Sequence, residues 1–201
     1  MASEVDIVNT ALSRLGDEAT VSSIDPPEGS AQAEHAATFY PIARDTLLEM
    51  HNWRFATKRA TLALTTAEPY EWTYAYALPS GMLKSLAVLP ATGSAEDDGH
   101  DYDQQLDEDG NQIILTDLED ATLRYTAKVT DTTRFPPLFT DALGWLLASY
   151  LAGPILKGDA GKAEAKACLA HFRMAYSLAI ESDANQRRVK PTHTPSWIGG
   201  R

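Results

Sequence analysis

The sequence predicts an α+β fold: a four-helix bundle built from N- and C-terminal helix pairs, an inserted small antiparallel β domain, and an extended C-terminal tail. Three observations predict it. Apolar residues recur at helical spacing near both ends of the chain. After Phe55 the helical period gives way to strand-like alternating runs such as Ala60, Leu62 and Leu64 and Trp72, Tyr74, Tyr76 and Leu78. From Ala184 onward neither period is present, and Pro191, Pro195 and Gly199-Gly200 interrupt the chain. The expected divisions are residues 1–57 for the first helix pair, 58–130 for the β domain, 131–182 for the second pair and 183–201 for the tail.

The first helix should follow Ser3, whose hydroxyl can pair with Asp6 in a capping box, and end at Gly16, which suits a left-handed exit. Val5, Val8, Leu12 and Leu15 form its expected apolar face. A second helix should run from near Ser30 to about Met50, with Ala33, Ala36, Ala37, Tyr40, Ala43, Leu47 and Met50 as its stripe. Pro41 should kink or split it, because proline removes a backbone donor and crowds the preceding turn. Ala60, Leu62 and Leu64 alternate, as do Trp72, Tyr74, Tyr76 and Leu78, so both runs read as strands. Pro79-Ser80-Gly81 is a turn signal, and Leu83 to Leu89 reads as a buried strand. A weak strand at Tyr102–Leu106 and strands at Gln112–Thr116 and Thr122–Val129 complete one small sheet. Its inward face is Leu123, Tyr125, Ala127 and Val129. After Pro136-Pro137, the segment Leu138–Gly153 is too widely apolar for a one-sided helix and should be central and buried. The last helix, Asp159 to about Glu181, should pack through Ala163, Ala167, Ala170, Met174 and Leu178.

Composition excludes several classes. Of 201 residues, 44% are apolar and 22% charged, which supports an ordinary packed core. Cys168 is the single cysteine, so no intramolecular disulfide is possible. Glu4 and Asp6 stand where a signal peptide would be basic and then apolar. The longest uncharged apolar stretch, Ala142–Leu156, is interrupted by Pro154 and falls short of the roughly 20 residues of a spanning helix. No membrane is expected as a partner, and a soluble protein is.

A net charge of −11 opposes general nucleic-acid binding, which depends on clustered Lys and Arg. The charge is unevenly spread. Ala91–Asp120 holds eleven acids and no Lys or Arg, whereas Ala184–Arg201 holds Arg187, Arg188, Lys190 and Arg201 and no acid. Such asymmetry suits different neighbours for different parts of the molecule.

Catalytic chemistry is not apparent. Neither Asp101 nor Asp107 starts an EF-hand register, since Leu106 and Gln112 occupy the sixth positions. The expectation is a solvated acidic hairpin in preference to a cation site, with no metal and no cofactor. The five histidines show no zinc spacing and no H-E-x-x-H. Cys168 and His171 are one helical turn apart, but an Ala-rich helix suits a buried structural cysteine better than a nucleophile. Glu34 with His35, and Glu49 near His51, read as surface charge. Trp53 and Phe55 resemble a stacking platform less than a plug between bundle and sheet. Trp197 and Ile198, large apolar groups in a basic tail, read as anchors for a partner. No enzyme is expected.

Several segments carry a family resemblance. They are Asp6–Gly16, Phe39–Ala60 with its Trp53-Arg54-Phe55 junction, Tyr76-Ala-Leu-Pro-Ser-Gly-Met-Leu83, and Tyr125–Asp131 running on to Phe135–Trp145. In this order the chain resembles the head-to-tail adaptors of short-tailed bacteriophages and prophages, the tail tubular protein A family. The resemblance implies a virion structural protein at the head–tail junction, made in the host cytoplasm. It implies a homo-oligomeric ring of twelve beneath the portal protein, with helical bundles as its wall. DNA would pass through the channel without specific binding. Portal contact would fall to the tail residues Arg187, Arg188, Lys190, Trp197 and Ile198. Docking of nozzle or other tail proteins would fall to the acidic hairpin residues Asp97, Asp98, Asp101, Asp103, Asp107 and Asp109. Some relatives have been credited with cell-wall hydrolysis, for which no carboxylate pair stands out here. The alternative from a different class is a monomeric enzyme or small-ligand binder on an α+β scaffold.

Overall fold

The computed structural model of the protein describes residues 2–18, 20–91 and 99–186. Its described residues form a mixed α and β fold with four helices and two small antiparallel sheets. In chain order the elements are α1 (Glu4–Arg14), α2 (Ala31–Met50), β1 (Thr57–Thr61), β2 (Ala63–Leu64), β3 (Tyr74–Ala77), β4 (Met82–Leu89), β5 (Asp103–Leu106), β6 (Gln112–Thr116), β7 (Thr122–Ala127), α3 (Pro137–Leu156) and α4 (Gly158–Ala184).

Local signals decide the helix ends. Ser3 accepts from the Asp6 amide while Asp6 accepts from the Ser3 amide, closing the expected capping box. Ser30 accepts from the Ala33 amide and starts α2. Pro41 does not split α2, which runs on to Met50. Tyr40, Ala43, Leu47 and Leu48 are buried on either side of it, and that packing offsets the lost backbone bond.

The helices share one core. α3 packs against α1, α2 and α4, and Phe139, Leu143, Leu147 and Leu151 along it are fully buried. Its length and composition would also suit a membrane span, but half of it is covered within the chain. Arg14 fastens α1 to α3. Its guanidinium pairs with the Asp141 carboxylate, donates to the Asp141 carbonyl at 3.0 Å, and lies 4.1 Å over the Trp145 ring. Gly144 makes room for it, since a Cβ there would come within 2.8 Å of Arg14 Nη1.

The strands form two sheets where one was expected. The first has the order β1-β7-β4 and the second β2-β3-β6-β5. Alternation specifies which face of a strand is apolar, but not which partner it takes, and β1 pairs with β7 across most of the β region (Thr57↔Thr126). The sheets share a core in which Tyr76 and Ile114 of one meet Val88, Leu123 and Tyr125 of the other. The expected inward face Leu123, Tyr125, Ala127 and Val129 is buried throughout. The other face of the four-stranded sheet buries Ala75, Ile113 and Leu115 beneath Ala67 and Trp72.

Trp53 and Phe55, just before β1, pack into the core shared by the helices. Trp53 is buried and donates through Nε1 to the Leu47 carbonyl at 2.7 Å, and Phe55 stacks edge-on to Phe139 with ring centroids 4.9 Å apart. A second link joins α2 to the end of β7, where Asp45 pairs with Lys128 at 2.8 Å.

Candidate functional site

Of the acidic residues singled out in the sequence, Asp103, Asp107 and Asp109 lie on the β5–β6 hairpin, and Asp101 lies just before it. Asp97 and Asp98 lie outside the described residues. The Asp101 carbonyl accepts from Thr116 Oγ1 at 2.8 Å, and the Asp103 carboxylate accepts from the Gln104 amide at 2.8 Å. Asp103 opens β5, an edge strand of its sheet, where a charged side chain discourages pairing with another chain. Asp107 closes the β5–β6 turn by accepting from the Asn111 amide at 2.7 Å and from Asn111 Nδ2 at 3.1 Å. Those bonds hold its carboxyl below the usual carboxylate range. Asp109 follows on the same turn, exposed.

That turn forms one wall of an open cleft of about 890 Å³. The other walls are the β2–β3 connection around Thr65–Tyr70 and the β3–β4 turn from Leu78 to Gly81. Among the described residues Glu68, Asp107, Glu108 and Asp109 line it, and no Lys or Arg does. Its apolar part is made by Leu78, Met82 and Ile113, with Tyr70 at the rim, 62% exposed and at φ +51°. Registers place the cleft at the end of the sheets nearer the helices. Met82 pairs with Ala127, and the Lys128 amide beside it donates to the Gly81 carbonyl at 2.7 Å. Glu68, Tyr70 and Met82 carry no sequence signal, because three turns far apart in the chain have to meet before the cleft exists.

The outer face of α4 is the second feature, and it corrects the sequence reading. Ala163, Ala167, Ala170, Met174 and Leu178 are exposed, Met174 by 68% and Leu178 by 56%. Gly161, Cys168, Phe172, Ala175 and Ala179 are the ones buried against α3. Alanines on both sides of the helix make the two stripes look alike, and contact with α3 decides between them. Much of the apolar surface of α3, by contrast, is covered inside the chain, with Leu138 and Leu156 at its two ends exposed.

The sequence matches no family model, and no curated protein matches it.

At the C-terminal end of α4, Asp183 is buried at 4% exposure and ties three segments together. Its carboxylate accepts from the Arg54 amide at 3.0 Å and lies 3.2 Å from His51 Nε2, while its carbonyl accepts from Arg54 Nε at 3.0 Å. The chain therefore leaves α4 beside the seam between helices and sheets. Arg187, Arg188, Lys190, Trp197 and Ile198 follow, outside the described residues.

Cys168 is buried, and burial, with Glu164 beside it, pushes its thiol above the ordinary range, away from a reactive thiolate. His171 stacks on Trp145 at 4.6 Å. Among the described residues no three His, Cys, Asp or Glu side chains are grouped to hold a metal ion. What the arrangement offers is surface: an acidic cleft with an apolar floor, and an apolar helix face.

Proposed function

We propose that the chain is a head-to-tail adaptor of the tail tubular protein A kind, a structural virion protein and not an enzyme. In this reading the four helices form a four-helix bundle. Twelve such bundles make the wall of a ring beneath the portal, at the head–tail junction. The observation that carries the reading is the outer face of α4, where Met174 and Leu178 remain exposed although the helix has a complete core face of its own. Two large apolar side chains one turn apart on an exposed helix face suit a subunit contact. The order of elements, two helices, strands and two helices, supports it as well. So does the charge of −11, because an acidic wall gives DNA phosphates nothing to neutralise and lets the duplex slide. The turn carrying Asp107 and Asp109 and the edge strand carrying Asp103 then offer the nozzle or later tail proteins an acidic docking surface. The tail carries the portal contact through Arg187, Arg188, Lys190, Trp197 and Ile198.

Deletion of residues 187–201 tests the arm. The cut belongs after Gln186, because Asp183 holds Arg54 and its removal would disturb the seam. The expected result is a chain with unchanged circular dichroism and melting that no longer co-sediments with portal rings. Undiminished attachment overturns the assignment of the arm.

A further inference from the structure

We propose that, before assembly, the cleft between the β2–β3, β3–β4 and β5–β6 connections holds the chain's own basic segment, residues 187–201. Three observations lead there. Among the described residues the cleft is lined by four carboxylates and no Lys or Arg, so a basic occupant is the one it attracts. Segment 187–201 is the complementary piece of the same molecule, with four Lys or Arg residues, no Asp or Glu, and the apolar pair Trp197 and Ile198. The cleft has a matching apolar part in Tyr70, Leu78 and Met82, which gives those two side chains somewhere to leave water.

Reach decides between its own tail and a stranger's. The chain leaves α4 where Asp183 grips Arg54, three residues before β1 begins. From β1 the route to Met82 crosses two strand spacings, β1 to β7 and β7 to β4. Three residues span at most about 11 Å and two spacings about 10 Å, so the path from the seam to the cleft is on the order of 20–30 Å. Eleven residues from Gln186 to Trp197 reach at most about 36–40 Å, which covers it. A tethered segment of this length acts at an effective concentration near the millimolar range, ahead of any free competitor. The contact is electrostatic at an exposed site and therefore weakens with salt. Its consequence, though not the contact itself, rests on the adaptor reading: the arm is parked until the portal offers a better pocket, and its departure frees the acidic cleft.

The test uses the full chain. Cys168 is buried, so a Gly199→Cys variant presents one accessible thiol for a nitroxide label. In the ¹⁵N-labelled monomer, loss of amide peak intensity is expected at residues 66–70, 80–82 and 108–111. No loss is expected at residues 117–120, which are as acidic but lie outside the cleft. High salt, and a Glu68→Lys/Glu108→Lys/Asp109→Lys variant, should restore the peaks. Broadening that is absent, or as strong at 117–120 as in the cleft, overturns the proposal. So does broadening in a mixture where only unlabelled-nitrogen chains carry the nitroxide, because the segment then comes from a second copy. A variant that keeps the cleft broadening yet never binds portal refutes the adaptor reading alone. One that binds portal through residues 187–201 without the broadening refutes the parked arm alone.

Discussion

Substituting the two faces of α4 separately should divide folding from assembly. Met174 and Leu178 are 68% and 56% exposed, so folding buries only about a third to a half of each side chain. Full burial of such a side chain is worth roughly 1.5–3 kcal/mol, so replacing either by Asp removes about 0.5–1.3 kcal/mol. The poorer helix propensity of Asp adds a few tenths of a kcal/mol. In a chain of this size each kcal/mol lowers Tm by about 2–4 °C, so Met174→Asp and Leu178→Asp should each melt within a few degrees of the parent. Phe172 is 4% exposed on the opposite face, and Phe172→Ala should cost about 3–5 kcal/mol. Assembly should show the reverse order. Covering the remaining exposed part of both outer side chains at a subunit contact contributes about 2–4 kcal/mol, so the double Asp variant should weaken association by roughly 30- to 1000-fold. Sedimentation velocity, with and without portal rings, reads association, and a circular dichroism melt reads folding. If the double variant forms rings as the parent does, α4 is not the subunit contact. If it melts as early as Phe172→Ala, the exposed face is not free in the monomer.

Two further expectations concern what holds the monomer together. A Cβ on Gly161 would lie 2.8 Å from the Ala152 carbonyl oxygen of α3, whereas one on Gly153 would meet nothing within 4 Å. Gly161→Ala should therefore destabilise by about 1–3 kcal/mol, and Gly153→Ala should stabilise by about 0.5–1 kcal/mol, in urea titrations of the two variants. Burial raises the Asp45 carboxyl, but its bonds to Arg44 and Lys128 outweigh that and leave it below its ordinary value. A depressed carboxyl contributes stability above its unfolded pKa, near 3.9, and loses it as pH falls through the folded value. Asp45→Asn should thus lower Tm at neutral pH and flatten the acid limb of the stability profile, whereas parallel pH profiles for parent and variant would contradict the role of the pair.

The features that were legible in the sequence are the ones decided within a few residues. Ser3 with Asp6 and Ser30 before Ala33 are caps whose donors and acceptors lie three positions apart, and Gly16 takes the left-handed conformation its place suggested, at φ +74°. Alternation at Leu123, Tyr125, Ala127 and Val129 needs only the pleat to become a buried face. Where two local answers are nearly equal in energy, the sequence stops deciding. Along α4 the stripe through Ala167 and Met174 is as apolar as the one through Cys168 and Ala175, and only contact with α3 ranks them. The division into two sheets depends on β1 finding β7, a choice no window of the chain contains. The cleft is more remote still. Asp107 and Asp109 stand out by charge alone, and their common wall with Glu68 and Tyr70 exists only after β3 has paired with β6.

The same dependence bears on how the molecule would act. The three turns of the cleft are held together by strand pairing, and its floor residue Met82 is tied through Ala127 and Lys128 to Asp45 on α2. The tail leaves the fold at Asp183, which is tied through His51 and Arg54 to the other end of the same seam. Cleft and tail root are thus both tied to segments next to β1 and β7. A partner that drew residues 187–201 away would pull at Asp183 and Arg54, next to the packed Trp53 and Phe55. Those rings resist deformation because Trp53 is buried and bonded to Leu47. The seam should therefore stay rigid whatever residues 187–201 bind, which is the property the proposed arm needs if its release is not to unfold the subunit that carries it.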